Sequence, residues 1–568
     1  MVSALRVFGT SSRYATRFVS TSRVLSQEAK IVKEASPIAA APISPPPPPP
    51  PKGGRIRSVF KWTWRAALLS ALGGTAYVGY QVYKEAHPTE QIPQSDLKPN
   101  GNKRKTIVIL GSGWGSITTL KHLDTSLYNV IIVSPRNYFL FTPLLPSVPT
   151  GTVDVKSITD PVRTVARATP GQVLYLEAEA TDVDPVSKKV TIKHKSNSMT
   201  FGEAMINEEE PIITTVDYDY LVFGVGAQTT TFGIPGVAEN ASYLKEAHDA
   251  VVIRQKIFNS IEAAQLLPVG SEERKRLLSV VVCGGGPTGV ELAAEVKDYI
   301  DQDLSRWLPG IEKEMTVTLV EALPNVLNAF NQKLIKYTEE VFKRQELDLR
   351  TNTMVKKVDR KNVYAVHKNA SGEQESIAIP YGTLVWATGN GPREITKSLA
   401  SKIEEQKTAR RGLLIDAYLK VDGSDSIYAL GDCTFTKNPP TAQVAHQEGI
   451  FLASHFEKLS KIDDLQYSIK TETEADKLDK LNRRLERAKA SLRPFEYVYQ
   501  GSLAYIGTER AVADLVWGDF SNVSTGGSLT FLFWRSAYVS MILGVRSKIL
   551  VCFDWLKVGI FGRDCSKE

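Results

Sequence analysis

Cysteine is scarce in this chain. It has four in 568 residues (Cys283, Cys433, Cys552, Cys565), and no two form a Cys-x-x-Cys pair. That excludes a zinc ribbon, a disulfide framework and a redox dithiol. No Asp-x-Asp-x-Asp-Gly loop occurs, so no calcium site or other metal is expected. The first 27 residues have no acid at all, while Arg6, Arg13, Arg17 and Arg23 punctuate a Ser/Thr-rich stretch. An Arg-rich, acid-poor leader is the signature of a mitochondrial transit peptide. The net charge is +7, but part of the excess lies in the first 65 residues. A general nucleic-acid binder would carry it on the folded body, so no nucleic-acid partner is expected.

Pro45 to Pro51 form an unbroken run, which lacks backbone donors and reads as a stiff spacer within a linker at 28–59. A membrane span is expected at 60–83. Residues 66–83 carry no charge, enough helix for about 27 Å. Trp62 and Trp64 flank one end, Tyr80 and Tyr83 the other. Lys52, Arg55, Arg57, Lys61 and Arg65 precede the uncharged stretch, and positive charge stays inside. With a mitochondrial address, the body faces the intermembrane space.

The body has two phosphate cradles. "TIVILGSGWGS" (106–116) reads as a buried strand, a glycine turn and a helix start. Gly111 permits the turn, and Gly113 lets a phosphate approach beside Trp114 and Gly115. Ser116 stands at the third glycine position. "VVVCGGGPTGVELAAEV" (280–296) is the fuller copy, with Gly284, Gly286 and Gly289 in register around Pro287 and Thr288. The next strand, in "MTVTLVEALP", ends at Glu321, an acid suited to both adenosine ribose hydroxyls and hostile to a 2′-phosphate. After the first cradle, Ser134 to Arg136 replace that acid. "GTLVWATGNGP" brings Thr388 and Gly389, and "GSDSIYALGDCT" brings Gly431 and Asp432, the latter suited to the ribityl or pyrophosphate end of a flavin.

Two cradles in one chain imply FAD in one, NADH in the other, and hydride transfer between stacked rings. The expected fold is α/β, with two nested Rossmann-like dinucleotide-binding domains and C-terminal membrane-anchoring helices. The FAD-binding domain is expected at 104–245 and 385–455, the NADH-binding domain at 246–384, and a C-terminal anchoring and dimerisation domain at 456–568. The C-terminus is dense in Phe, Trp, Leu and Ile, yet Arg535, Arg546, Lys548, Lys557 and Arg563 interrupt it. It reads as interfacial helices against membrane lipid. The charged stretch 461–493 reads as a solvated helix.

The order of these motifs, with "PPTAQVAHQEGIFLA" after them, resembles the type II (alternative, rotenone-insensitive) NADH:ubiquinone oxidoreductases of fungal mitochondria over 104–568. The N-terminal segment resembles that of the external members. The resemblance implies a non-proton-pumping enzyme with FAD, NADH and ubiquinone, dimerising through its C-terminal region. It implies that Gln443 and Gln447, one helical turn apart, border the quinone pocket, and that Glu291 lies near the nicotinamide. The competing expectation is a flavoprotein NADH oxidase, or a flavoprotein with a structural or signalling role.

Overall fold

The computed structural model describes residues 73–88, 90–194, 210–369, 371–517, 521–564 and 566. The expected transit peptide, the proline spacer and residues 60–72 of the expected span lie outside them. Residues 73–86 are helical. Among the described residues, no helix is long and apolar enough to cross a membrane.

Two parallel five-stranded sheets organise the body. The first runs in the order Ile427–Ala429, Tyr220–Phe223, Thr106–Leu110, Asn129–Ser134, Val173–Glu177. Ile107 to Leu110 are fully buried, which explains their unbroken apolar character. Ile107 and Ile109 pack in the cluster of helices Trp114–His122 and Ala442–Thr471. Val108 and Leu110 pack in that of Val183, Val190 and Ile192 of the antiparallel sheet at 179–217, with Ile395 and Leu399. The second sheet runs Ser242–Tyr243, Thr383–Trp386, Ser279–Cys283, Thr316–Val320, Asp348–Arg350. Its strands all fall between two strands of the first sheet, so one α/β unit is inserted in the other. Two antiparallel three-stranded sheets flank them, at 179–217 and 353–380.

Helix starts follow local chemistry. Pro287 opens Pro287–Tyr299 at a position that has no intrahelical N–H bond to lose. Glu246 and Asp249 form a reciprocal capping box at Ala247–Gln265. The Thr441 hydroxyl accepts the Val444 N–H to start Ala442–Thr471, a helix of 30 residues.

The C-terminal region departs from expectation. The charged stretch is not one helix but the end of Ala442–Thr471 and a second helix, Ala475–Ala490. The turn between them lets Ile462, Leu485 and Ala488 pack together. A three-stranded sheet, Ser502–Tyr505, Ala511–Trp517 and Ser521–Gly527, then precedes helices Ser528–Met541 and Val545–Phe561. These two helices bury Phe531, Trp534, Tyr538 and Val551 and expose Leu529, Leu532, Phe553, Leu556, Ile560 and Phe561.

Candidate functional site

A cleft of about 1040 Å³ runs between the two α/β units. Gly111, Gly113, Trp114, Gly115, Ser134 and Arg136 line it from the first. Gly286, Pro287 and Thr288 reach it from the second. Thr388, Gly389, Gly431 and Asp432 complete the expected set. Gly284, Gly289, Glu321, Glu291, Gln443 and Gln447 are not in its lining.

The glycines divide by task. Gly111 has φ +92°, and a Cβ there would stand 2.4 Å from the Gly224 carbonyl. A Cβ on Gly289 would come within 2.0 Å of the Gly284 carbonyl. These positions need glycine for the turn and for close helix–strand packing. Gly113 and Gly286 are different: a Cβ on either meets nothing within 4 Å. Both stand at a helix N-terminus. Open space over exposed N–H groups and a positive dipole end fits a dinucleotide pyrophosphate twice over. Ser116 substitutes for the missing third glycine by bonding its Oγ to the Leu110 carbonyl (2.9 Å).

Glu321 sits beside the second cradle. Its carboxylate accepts the Gly285 N–H and the Leu323 N–H (2.7 Å for the latter). Each oxygen keeps a free lone pair, so the side chain is pre-aimed for ribose hydroxyls.

The first cradle's missing acid is replaced from far along the chain. Arg136 pairs with Glu246, which Arg393 also approaches at 3.5 Å. Lys245 bonds Asn390 Oδ1 at 2.7 Å and lies 3.8 Å from Asp432. Burial lowers the Lys245 pKa, and Asp432 opposes that shift. Below Asp432, buried Glu448 accepts the Gly431 N–H at 2.7 Å. Burial raises its pKa to about 7, against the pull of that hydrogen bond. Sequence reading missed Glu246, Arg393, Lys245 and Glu448. The one local signal was the capping box at Glu246, which marks a helix start and not a ligand.

Gln443 and Gln447 do share a helix face, and both grip one segment. Gln447 exchanges hydrogen bonds with the Val498 backbone at 2.7 and 3.0 Å. Gln443 accepts from the Tyr497 hydroxyl (2.5 Å) and the Gln500 N–H (3.2 Å). Tyr497–Gly501 is thereby strapped to the start of the Ala442–Thr471 helix. Glu291, one turn beyond Gly286, is 6 % exposed and accepts the Tyr505 N–H at 3.0 Å. Burial raises its pKa to about 8, so it is largely uncharged at neutral pH. Cys283 and Cys433 are buried, with pKa values pushed up to about 12 by burial, which keeps both as inert thiols. Among the described residues, no cluster of His, Cys, Asp and Glu could hold a metal ion.

Two glycine cradles facing one cleft define a dinucleotide-dependent oxidoreductase. The family model for pyridine nucleotide-disulphide oxidoreductases matches residues 105–449, and that for the NDH2 C-terminal domain matches 499–564. The chain is 51 % identical over 511 residues to the external NADH-ubiquinone oxidoreductase 2 of Saccharomyces cerevisiae mitochondria, covering 89 % of this chain and 91 % of that protein. It is 50 % identical to the external alternative NADH-ubiquinone oxidoreductase of Yarrowia lipolytica, covering 89 % and 87 %. Among solved structures, NDH2 of Plasmodium falciparum in complex with NADH superposes with a TM-score of 0.69 at 28 % identity, over 82 % of this chain and all of that one. The chain belongs to the pyridine nucleotide-disulphide oxidoreductase family, in its type II NADH:ubiquinone oxidoreductase branch.

Proposed function

We propose that this chain oxidises NADH and reduces ubiquinone at the mitochondrial inner membrane, without pumping protons. The observation that carries this reading is the single cleft lined by both cradles, since direct hydride transfer requires two dinucleotides to meet. FAD, when bound, supplies the hydride acceptor and the electron outlet to quinone.

The chain's own residues bind, orient and insulate. Gly113 and the helix start at Trp114 hold the flavin pyrophosphate, and Asp432 faces its ribityl end. Gly286, Pro287 and Thr288 hold the NADH pyrophosphate, and Glu321 takes the adenosine ribose. Uncharged Glu291 places no negative charge near the nicotinamide. Gln443 and Gln447 border the quinone pocket and shape it through the Tyr497–Gly501 strap, so they act as positioning residues.

The FAD-binding domain comprises 104–245 and 385–455, with the NADH-binding domain, 246–384, inserted in it. The leader 1–27 addresses the chain to mitochondria, and 60–83 tethers it with the body in the intermembrane space, where it oxidises cytosolic NADH. Exposed Leu529, Leu532, Phe553 and Ile560 support lipid contact by the C-terminal domain, 456–568, which also pairs two copies.

The test is NADH oxidation by the purified, detergent-solubilised protein with and without a short-chain ubiquinone. Fast, FAD-dependent oxidation that requires the quinone is expected. Flavin reduction with no acceleration by quinone would sink the quinone assignment and leave the cradles standing.

A further inference from the structure

A second cavity, of about 280 Å³, lies between the end of the second cradle helix and the two C-terminal helices. That is roughly nine times the volume share of one water, room for a phosphate with a small polar substituent. Its floor is an ion-paired network. Arg563 donates from Nη1 to Asp303 (2.7 Å) and from Nε to Thr152 (2.8 Å), and its Nη2 lies 3.5 Å from Glu295. Glu295 also accepts from Ser147 (2.8 Å) and Thr152 (2.6 Å). Those two acids are therefore engaged, and with them Arg563.

Arg535 is not satisfied in this way. Its guanidinium lies 4.4 Å from the Phe531 ring centroid and 4.8 Å from that of Trp555. Its Nε is buried and has no hydrogen-bond partner among the described residues. A guanidinium donor without an acceptor is costly; the enclosed Nε is out of reach of the cavity, so an anionic oxygen there would be met by the terminal nitrogens of Arg535. Arg306 lines the same cavity from its exposed rim. Against these two cations, Glu509 is the one lining acid not engaged by Arg563. The two C-terminal helices that line the cavity also expose Leu529, Leu532, Phe553, Leu556 and Ile560 to solvent. A small polar hollow with two arginines, set against helices that expose apolar side chains, matches the boundary between a lipid's charged and apolar parts.

We propose that this cavity binds the phosphate headgroup of an anionic phospholipid, with Arg535 and Arg306 as its donors. The inference rests on the reading of the C-terminal helices as lipid-facing, and the test separates the two. The full-length holoprotein is floated with phosphatidylcholine vesicles, with and without phosphatidylglycerol. Arg535→Gln and Arg306→Gln are compared with Arg483→Gln, an equal charge loss on the exposed Ala475–Ala490 helix. Arg306→Gln, at the rim, tests the site without disturbing the core. Phosphatidylglycerol is expected to strengthen wild-type binding, and Arg535→Gln to weaken that gain by about tenfold. Arg306→Gln should weaken it less, and Arg483→Gln hardly at all. Equal losses in Arg483→Gln and Arg535→Gln would overturn the site in favour of diffuse attraction. Binding to neither vesicle would overturn the lipid-facing reading itself. A soluble arm completes the test: thermal protection by glycerol 3-phosphate that needs Arg535, without any vesicle preference, would make the ligand a free phosphate and overturn the lipid assignment.

Discussion

The two cradles share a backbone plan and differ in how the adjoining charge is supplied. In the second, an acid suited to ribose hydroxyls, Glu321, stands at the end of the very next strand and is clamped by the N–H groups of Gly285 and Leu323. In the first, the same strand end carries Ser134, and the charges come from Arg136, Glu246, Lys245 and Arg393, up to 257 residues apart in sequence. Nucleotide selectivity at the second cradle can be set by one local side chain. At the first, it depends on the inserted unit being docked, because Lys245 and Glu246 follow Ser242–Tyr243, the first strand of that unit. Cofactor retention in the first cradle and folding of the second are thus physically linked.

The comparison can be broken most severely at Gly111. Gly111→Ala forces a Cβ into the Gly224 carbonyl at a positive φ. A loss of about 3 kcal/mol of stability is expected, from overpacking plus backbone strain. Thermal melts and flavin content of the purified protein would report it, and an unchanged melt would contradict the packing account. Gly286→Val is the contrasting case. Its Cβ enters open space, so melting temperature and bound flavin should be retained. The KM for NADH should rise by roughly tenfold or more, because the pyrophosphate can no longer reach the helix N-terminus. If flavin is lost as well, the two cradles are not separable in the way described.

Glu321→Gln sharpens the difference further. Removing the negative charge should erase about tenfold of the discrimination against NADPH, since like charges juxtaposed cost well over 1 kcal/mol. The ratio of kcat/KM for the two nucleotides at neutral pH checks this, and an unchanged ratio would remove Glu321 from selectivity.

The smallest effect concerns pH. Burial holds Glu448 at about 7 and Glu291 at about 8. Unfolded glutamates release their protons near pH 4.3. Between these values the native state binds more protons, so the contribution of both groups to stability falls as pH rises from about 4.5 to 8. Glu448→Gln should flatten the decline of melting temperature over that window. An equally steep decline in the variant would show that Glu448 is not buried as described.

Legibility from sequence followed contact range. Both cradles were readable because strand, glycine turn and helix start are contiguous, and their function lies in backbone geometry. Gln443 and Gln447 were placed on one helical face by spacing, but their partners Val498, Tyr497 and Gln500 were not, since those contacts span more than 50 residues. The sheet at Ser502–Gly527 escaped notice because its first strand has only four residues and its last is Ser/Gly-rich, with little apolar alternation. Glu448 read as an ordinary helical acid beside Gln447. Only the arrival of the Gly431 loop over it makes it a buried acceptor.

Taken alone, the sequence determined the α/β class, two dinucleotide cradles, the acid Glu321 at the end of the strand after the second cradle and the absence of a redox cysteine pair, because each is a property of a short stretch. Tertiary structure decided which charges serve the first cradle, what the two glutamines hold and where Arg535 is left without an acceptor. Those outcomes depend on distant segments meeting, and on burial changing what a carboxylate or guanidinium requires once water is gone.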